Sequence, residues 1–174
     1  MSERKGLLIV NTGDGKGKTT AALGLLFRAW GRGWKVCMYQ FVKASTGKWG
    51  EIRAAQKIGV EIIPMGDGFT WDSKDMEKTT ALARECWELA KARILSGEYD
   101  IVFLDEMTYT FTYGWIDVNE VISVLRDRPP HVHVVITGRN APPELIDAAD
   151  LVSEVCKVKH PYDKGINAQA GIEF

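Results

Sequence analysis

Residues 11–24, NTGDGKGKTTAALG, constrain the fold more than any other part of the chain. They pack four glycines, two lysines and three threonines between the apolar run GLLIVN (6–11) and the helix-like segment TTAALGLLFRAW. A stretch so poor in side chains offers backbone N–H groups and positive charge instead. Set between a strand and a helix N-terminus, those N–H groups converge, and the helix adds the positive end of its dipole, which together suit a polyphosphate. The phosphate-loop pattern asks for Gly, four residues, then Gly-Lys-Ser/Thr. Here Gly17, Lys18 and Thr19 supply the second half, whereas Thr12 stands five before Gly17 and Gly13 comes one place late. Context carries the assignment, because a plain glycine turn needs neither Lys-Thr at the helix start nor a strand just ahead of it.

In this loop Gly13, Gly15 and Gly17 let the backbone curl around a polyphosphate, Lys18 neutralises phosphate charge, and Lys16 and Thr20 add contacts. Asp14 also lies in this loop, where a carboxylate is unwelcome near phosphates unless it meets ribose, cofactor or metal. The Thr19 hydroxyl is placed to reach Mg2+, which needs a nearby acid. The run IVFLDE (101–106) puts Asp105 and Glu106 behind four apolar residues, at a strand end beside the loop. The strand HVHVVITGR ends in Arg139, which either grips a terminal phosphate or forms a surface ion pair. His131 and His133 sit at the other end of that strand without Cys or Glu at ligand spacing, so no metal is expected there.

Short apolar, β-branched runs at 6–11, 35–42, 60–64, 100–105, 131–137 and 151–158 alternate with helical patterns at 18–31, 48–57, 74–96, 117–126 and 142–149. Several of the runs lack clean alternation, as strands buried on both faces do. The order predicts an α/β fold of the P-loop NTPase (RecA-like) kind: a mostly parallel central sheet with helices on both faces and ligands at the carboxyl ends of the strands. A length of 174 residues suits one domain, 1–174. The 22 basic and 23 acidic residues nearly cancel, so no overall field draws the chain to nucleic acid or an anionic membrane. The first residues, MSERKGLLIVNTG, are too briefly apolar for a leader or a spanning segment, which predicts a cytoplasmic protein. Cys37, Cys86 and Cys156 show no C-x-x-C spacing and are expected to be small buried hydrophobes.

The stretch PMGDGFTWDS (64–73) follows a strand on the ligand-binding side and carries Met65, Phe69 and Trp71 in a glycine-containing loop. Either these side chains meet a flat hydrophobic ligand or the loop folds them into its own core. Taken with TGDGKGKTTAALG, YQFVK, GFTW, VFLDEMTY, EVISVLRDRP, VVITGRNAPPELIDAADLVSEV and VKHPYDKGINAQAGIEF, the chain resembles the ATP:corrinoid adenosyltransferases over nearly its whole length. The resemblance implies that a cobalt(I) corrinoid attacks the 5′ carbon of ATP and that triphosphate leaves. Cobalt(I) is then the nucleophile, and no side-chain base is required. Residues 13–20 hold the triphosphate, with Mg2+ on Thr19 and Glu106 and with Asp105 in support. The family binds ATP reversed relative to other phosphate-loop enzymes, and the late first glycine is compatible with that. Met65, Phe69 and Trp71 fall on the corrinoid side. Phe69 and Trp71 match the aromatics that displace the lower axial ligand of cobalt(II) and so ease its reduction. On the same resemblance Lys18, Phe69 and Trp71 are the catalytic residues, a reductase such as a flavoprotein supplies the electron, and the protein is a homodimer. Only MSERK precedes the first strand, where known members carry a longer segment that closes over a neighbour's site. Two other readings, an ATP-driven switch acting on a protein partner and a small-molecule kinase, predict ADP or phosphate as products.

Overall fold

The computed structural model describes residues 5–68 and 76–174. Six strands, β1 (Leu8–Thr12), β2 (Val36–Ala44), β3 (Glu61–Gly66), β4 (Ile101–Asp105), β5 (His133–Thr137) and β6 (Leu151–Glu154), form a sheet in the order β3-β2-β4-β5-β1-β6. Every pairing is parallel, which meets the expected P-loop NTPase-like architecture. The strand that feeds the glycine loop and the strand that ends in Asp105 are separated by β5.

Alternation along the strands sorts the core into two layers. Cys37, Tyr39 and Phe41 of β2, Val102 and Leu104 of β4, and Val134 and Ile136 of β5 pack with α3 (Met76–Ser96) and α5 (Val118–Arg126). Val36 and Met38, Ile101 and Phe103, and Val135 pack with α1 (Lys18–Gly31) and α2 (Gly50–Ile58). Continuing the second rows by one step, Gln40, Asp105 and Thr137 reach the carboxyl edge on the α1/α2 side. Gln40 and Asp105 are direct register partners. One periodicity therefore delivers three polar groups, all buried, to the spot where α1 begins.

α3 buries Thr79, Ala83, Cys86, Trp87, Ala90 and Ile94, the stripe its periodicity predicts, and it stops before Gly97 at φ 68°. Met76, in the first turn of the helix, is exposed. The indole of Trp87 is fully buried and donates to Glu120 Oε1 at 2.8 Å. In the N-cap of α5, Asp117 Oδ1 accepts the Asn119 N–H at 2.8 Å. Asp117→Ala is expected to lower stability by about 1 kcal/mol, read as a shifted urea midpoint at unchanged m value.

Some boundaries and burials differ from expectation. β6 stops at Glu154 and is exposed throughout, as an edge strand. A short helix, α4 (Thr108–Thr112), follows β4, and α6 (Pro143–Ala148) is trimmed at both ends. Cys37 and Cys86 are buried as expected, and burial pushes the Cys37 thiol up to about 12. Cys156, however, lies on the exposed stretch after β6. Met65 is a strand residue within β3, partly buried against the larger core cluster, so its placement in the loop after that strand is corrected. Phe69 and Trp71, and with them Asp72 and Ser73, residue types that can cap a helix over 74–96, lie outside the described residues.

Candidate nucleotide site

The loop after β1 is held by the chain that follows β6. Val155 N–H donates to Thr12 O at 2.8 Å, and Gly15 N–H donates to Val155 O at 2.6 Å. A Cβ at Gly15 would stand 2.6 Å from Cys156 O, and one at Gly13, where φ is 98°, 2.6 Å from Val155 O. Glycine is therefore required at both positions by close approach, and at Gly13 by left-handed backbone as well. Gly17, at φ 130°, precedes α1 without a side-chain cap, and the first turn of the helix holds no acid. Its N–H groups are thus left for an anion.

This loop forms one wall of a cavity of about 610 Å³ at the carboxyl edge of the sheet. The loop residues Asp14, Gly15, Lys16, Gly17, Lys18, Thr19 and Thr20 all line it, as do Glu106 and Arg139, so the structure brings together most of the residues expected to bind ATP and metal. Gly13 sits at the loop's base. Lys18 Nζ donates to Gly15 O at 2.6 Å, curling back over the loop. Burial, and next the charge of Arg139, hold the Lys18 ammonium below its ordinary pKa. Arg139 is exposed at the end of β5, and among the described residues it makes no ion pair with a carboxylate. Lys16 pairs with Glu173 at 3.6 Å.

The acid cluster is built from the strand rows described above. Asp105, fully buried, accepts from Thr19 Oγ1 at 2.8 Å and Thr137 Oγ1 at 2.7 Å on one oxygen, and from Gln40 Nε2 at 3.2 Å on the other. Glu106 follows at φ 60°, a left-handed conformation unusual for this residue type, with its N–H donating to Thr137 Oγ1 at 2.9 Å. Burial first, and the neighbouring Asp105 second, push the Glu106 carboxyl well above the usual range. A buried carboxyl raised in this way gains from a cation brought beside it. Because Thr19 gives its proton to Asp105, the lone pairs of its hydroxyl remain for a metal. Hydroxyl and carboxylate oxygens are the hard donors that Mg2+ selects. Among the described residues no group of three or more His, Cys, Asp or Glu gathers at metal-binding distance.

Sequence reasoning missed four contributors. Gln40, the one polar residue in the interior of MYQFV, links Asp105 to Glu51, accepting no bond of its own on Oε1. Thr137 ties two neighbours together. Lys43 and Glu51 form an ion pair on the cavity wall. Burial works against the Glu51 charge, but Lys43 and Gln40 outweigh it and hold the carboxyl below its ordinary value. Residues 171–174, near the far end of the chain, also line the cavity. Only Gln40 carried a readable signal, as an amide in an otherwise apolar strand. His131 and His133 have ordinary structural partners: His131 Nε2 lies 3.0 Å from Gly97 O, and Leu7 N–H donates to His133 Nδ1 while that ring stacks on Trp34.

The model of the family described as ATP:corrinoid adenosyltransferase BtuR/CobO/CobP matches residues 4–174. The corrinoid adenosyltransferases of Escherichia coli K12 and Salmonella typhimurium LT2 are each 44% identical, over 99% of this chain and 87% of theirs. That of Pseudomonas aeruginosa is 39% identical over 99% of this chain and 85% of its own. Among solved structures, the flagellar accessory protein FlaH from Methanocaldococcus jannaschii shares the fold, at a TM-score of 0.61 over 87% of this chain and 71% of its own, with 11% identity.

Proposed function

Because this chain belongs to the ATP:corrinoid adenosyltransferase family, we propose that its cavity grips ATP by the triphosphate and presents the ribose to a corrinoid. The protein adenosylates corrinoids with ATP. In this reading cobalt(I) attacks C5′, the C5′–O bond breaks with its electron pair staying on oxygen, and intact triphosphate departs. The observation that carries it is the convergence of the glycine loop, Lys18 and the Thr19–Asp105 hydrogen bond on one cavity. Those groups stabilise a leaving polyphosphate, whose charge rises as the bond breaks, by preorganised electrostatics.

Thr19 and Glu106 would hold Mg2+, with Asp105 orienting the Thr19 hydroxyl from behind. The metal, when bound, neutralises phosphate charge. Residues 13–20 and Arg139 contact the nucleotide, while Met65, Phe69 and Trp71 face the corrinoid. Met65 packs partly against the core from β3, and it contributes an edge of apolar surface more than a free arm. A homodimer in the cytoplasm, supplied with electrons by a flavoprotein reductase, completes the proposal. No helix among the described residues is long and apolar enough to cross a membrane.

The test is an anaerobic reaction of ATP with prereduced cobalt(I) corrinoid. A light-sensitive cobalt–carbon bond and stoichiometric triphosphate are expected. Release of ADP or inorganic phosphate alone, independent of corrinoid, would overturn the proposal in favour of a switch or a kinase.

A further inference from the structure

The cavity contains a lysine that the phosphate-loop pattern does not assign. Lys43 stands near the end of β2, its side chain 15% exposed, on a wall built from elements other than the glycine loop. Its ammonium sits against Glu51 Oε1, 3.8 Å from Asp105 Oδ2 and 5.3 Å from the centroid of the Trp49 ring. The backbone beneath it is pinned. The β2–β3 register shifts between Gln40 and Ala44, and a Cβ on Gly66 would fall 2.1 Å from Val42 C and O. The stem is anchored, and the four-carbon chain can swing its head without moving the strand.

The Lys43–Glu51 pair is suited to opening. Glu51 keeps the Gln40 amide at 3.2 Å if the ammonium leaves, and it sits in the first turn of α2, where the helix dipole favours a carboxylate. Both partners line the cavity, so an incoming polyanion meets the ammonium without crossing protein. A triphosphate there carries several negative charges and outbids one carboxylate for the same cation. Cations on separate walls, Lys18 and Arg139 on one side and Lys43 on another, would then enclose the leaving group.

We infer that Lys43 is a triphosphate contact held in reserve by Glu51, its ammonium passing from the carboxylate to phosphate oxygens when the cavity is loaded. This rests on the reading that the cavity takes triphosphate.

Titration calorimetry with inorganic tripolyphosphate, with and without Mg2+, tests both levels separately. Lys43→Met, which keeps most of the apolar stem, is expected to weaken binding about tenfold or more. Glu51→Gln, which removes the competitor at nearly constant shape, is expected to tighten it severalfold, and that gain should vanish in the double variant. Wild-type affinity in Lys43→Met overturns the inference. So does weakened binding in Glu51→Gln, which would mark the pair as structural, or a gain that survives in the double variant, which would mark a general field effect. If Glu51→Gln fails to fold by circular dichroism, Lys43→Met alone decides. Failure of the wild-type protein to bind tripolyphosphate, or equal binding by Lys18→Ala, instead sinks the underlying site assignment.

Discussion

Lys18→Ala is expected to lower kcat/KM for ATP by about 10²–10³-fold, the loss typical when one preorganised donor to a developing oxyanion is removed. Among the described residues the ammonium forms no ion pair with a carboxylate, and its hydrogen bond is to Gly15 O, a carbonyl of the loop it guards. Burial and the like charge of Arg139 destabilise the charged form, and the negative charge of an arriving polyphosphate offsets both effects. The variant should fold normally, since removal of Lys18 leaves the glycine loop's ties to Thr12 and Val155 intact. Lys18→Arg should rescue little, because a rigid planar fork cannot replace a compact ammonium inside a closely wrapped loop. The measurement is steady-state kinetics with saturating cobalt(I) corrinoid, alongside calorimetry with ATP. Kinetics indistinguishable from wild type would remove Lys18 from the site.

Much of this site was readable because local chemistry and global topology agree. The glycine loop announces itself through residue type, and its neighbours in space are the carboxyl ends of other parallel strands, which the doubly wound order predicts. Asp105, Glu106 and Arg139 each close an apolar run, so a strand assignment alone puts them at that edge. Gln40, inside β2, signals itself only as an amide among apolar residues, and Thr137 ends β5 with a hydroxyl too common there to stand out. Lys43 and Glu51 were unreadable for another reason. They belong to different elements, and only the bulge in β2 and the start of α2 decide that they meet. The stretch after β6 has no apolar period to follow, since nearly all of it is exposed. Its place against the glycine loop is set by backbone hydrogen bonds, which residue identity does not encode. The exposure of Cys156 follows from the same fact.

Replacing Phe69 and Trp71 together by alanine is expected to separate two activities that the wild-type protein combines. Starting from cobalt(II) and a mild reductant, turnover should fall by about 100-fold or more; starting from chemically prereduced cobalt(I), it should stay within a few-fold of wild type. An axial base or water donates electron density to cobalt(II) and makes its reduction harder, so aromatic side chains that deny the metal this ligand raise the potential. For a one-electron couple each 59 mV is a tenfold change, so a loss of about 120 mV accounts for the expected 100-fold. The described residues on either side of the pair belong to one edge of the sheet. β3 ends at Gly66 on the carboxyl edge of the sheet, Gly68 N–H donates to Val42 O at 3.1 Å beside Lys43, and a short Thr79–Asp67 hydrogen bond clamps the start of α3 to the chain just ahead of Phe69. The described residues that flank the pair therefore lie at the edge that carries the nucleotide cavity. Spectroscopy gives an independent readout: wild-type protein with ATP and cobalt(II) corrinoid should show the electron paramagnetic resonance of a cobalt lacking its lower ligand, and the double variant should not. Equal losses in the two assays, or an unchanged cobalt(II) spectrum in the double variant, would mean that these rings only bind the corrinoid and that its reduction is eased by some other part of the protein.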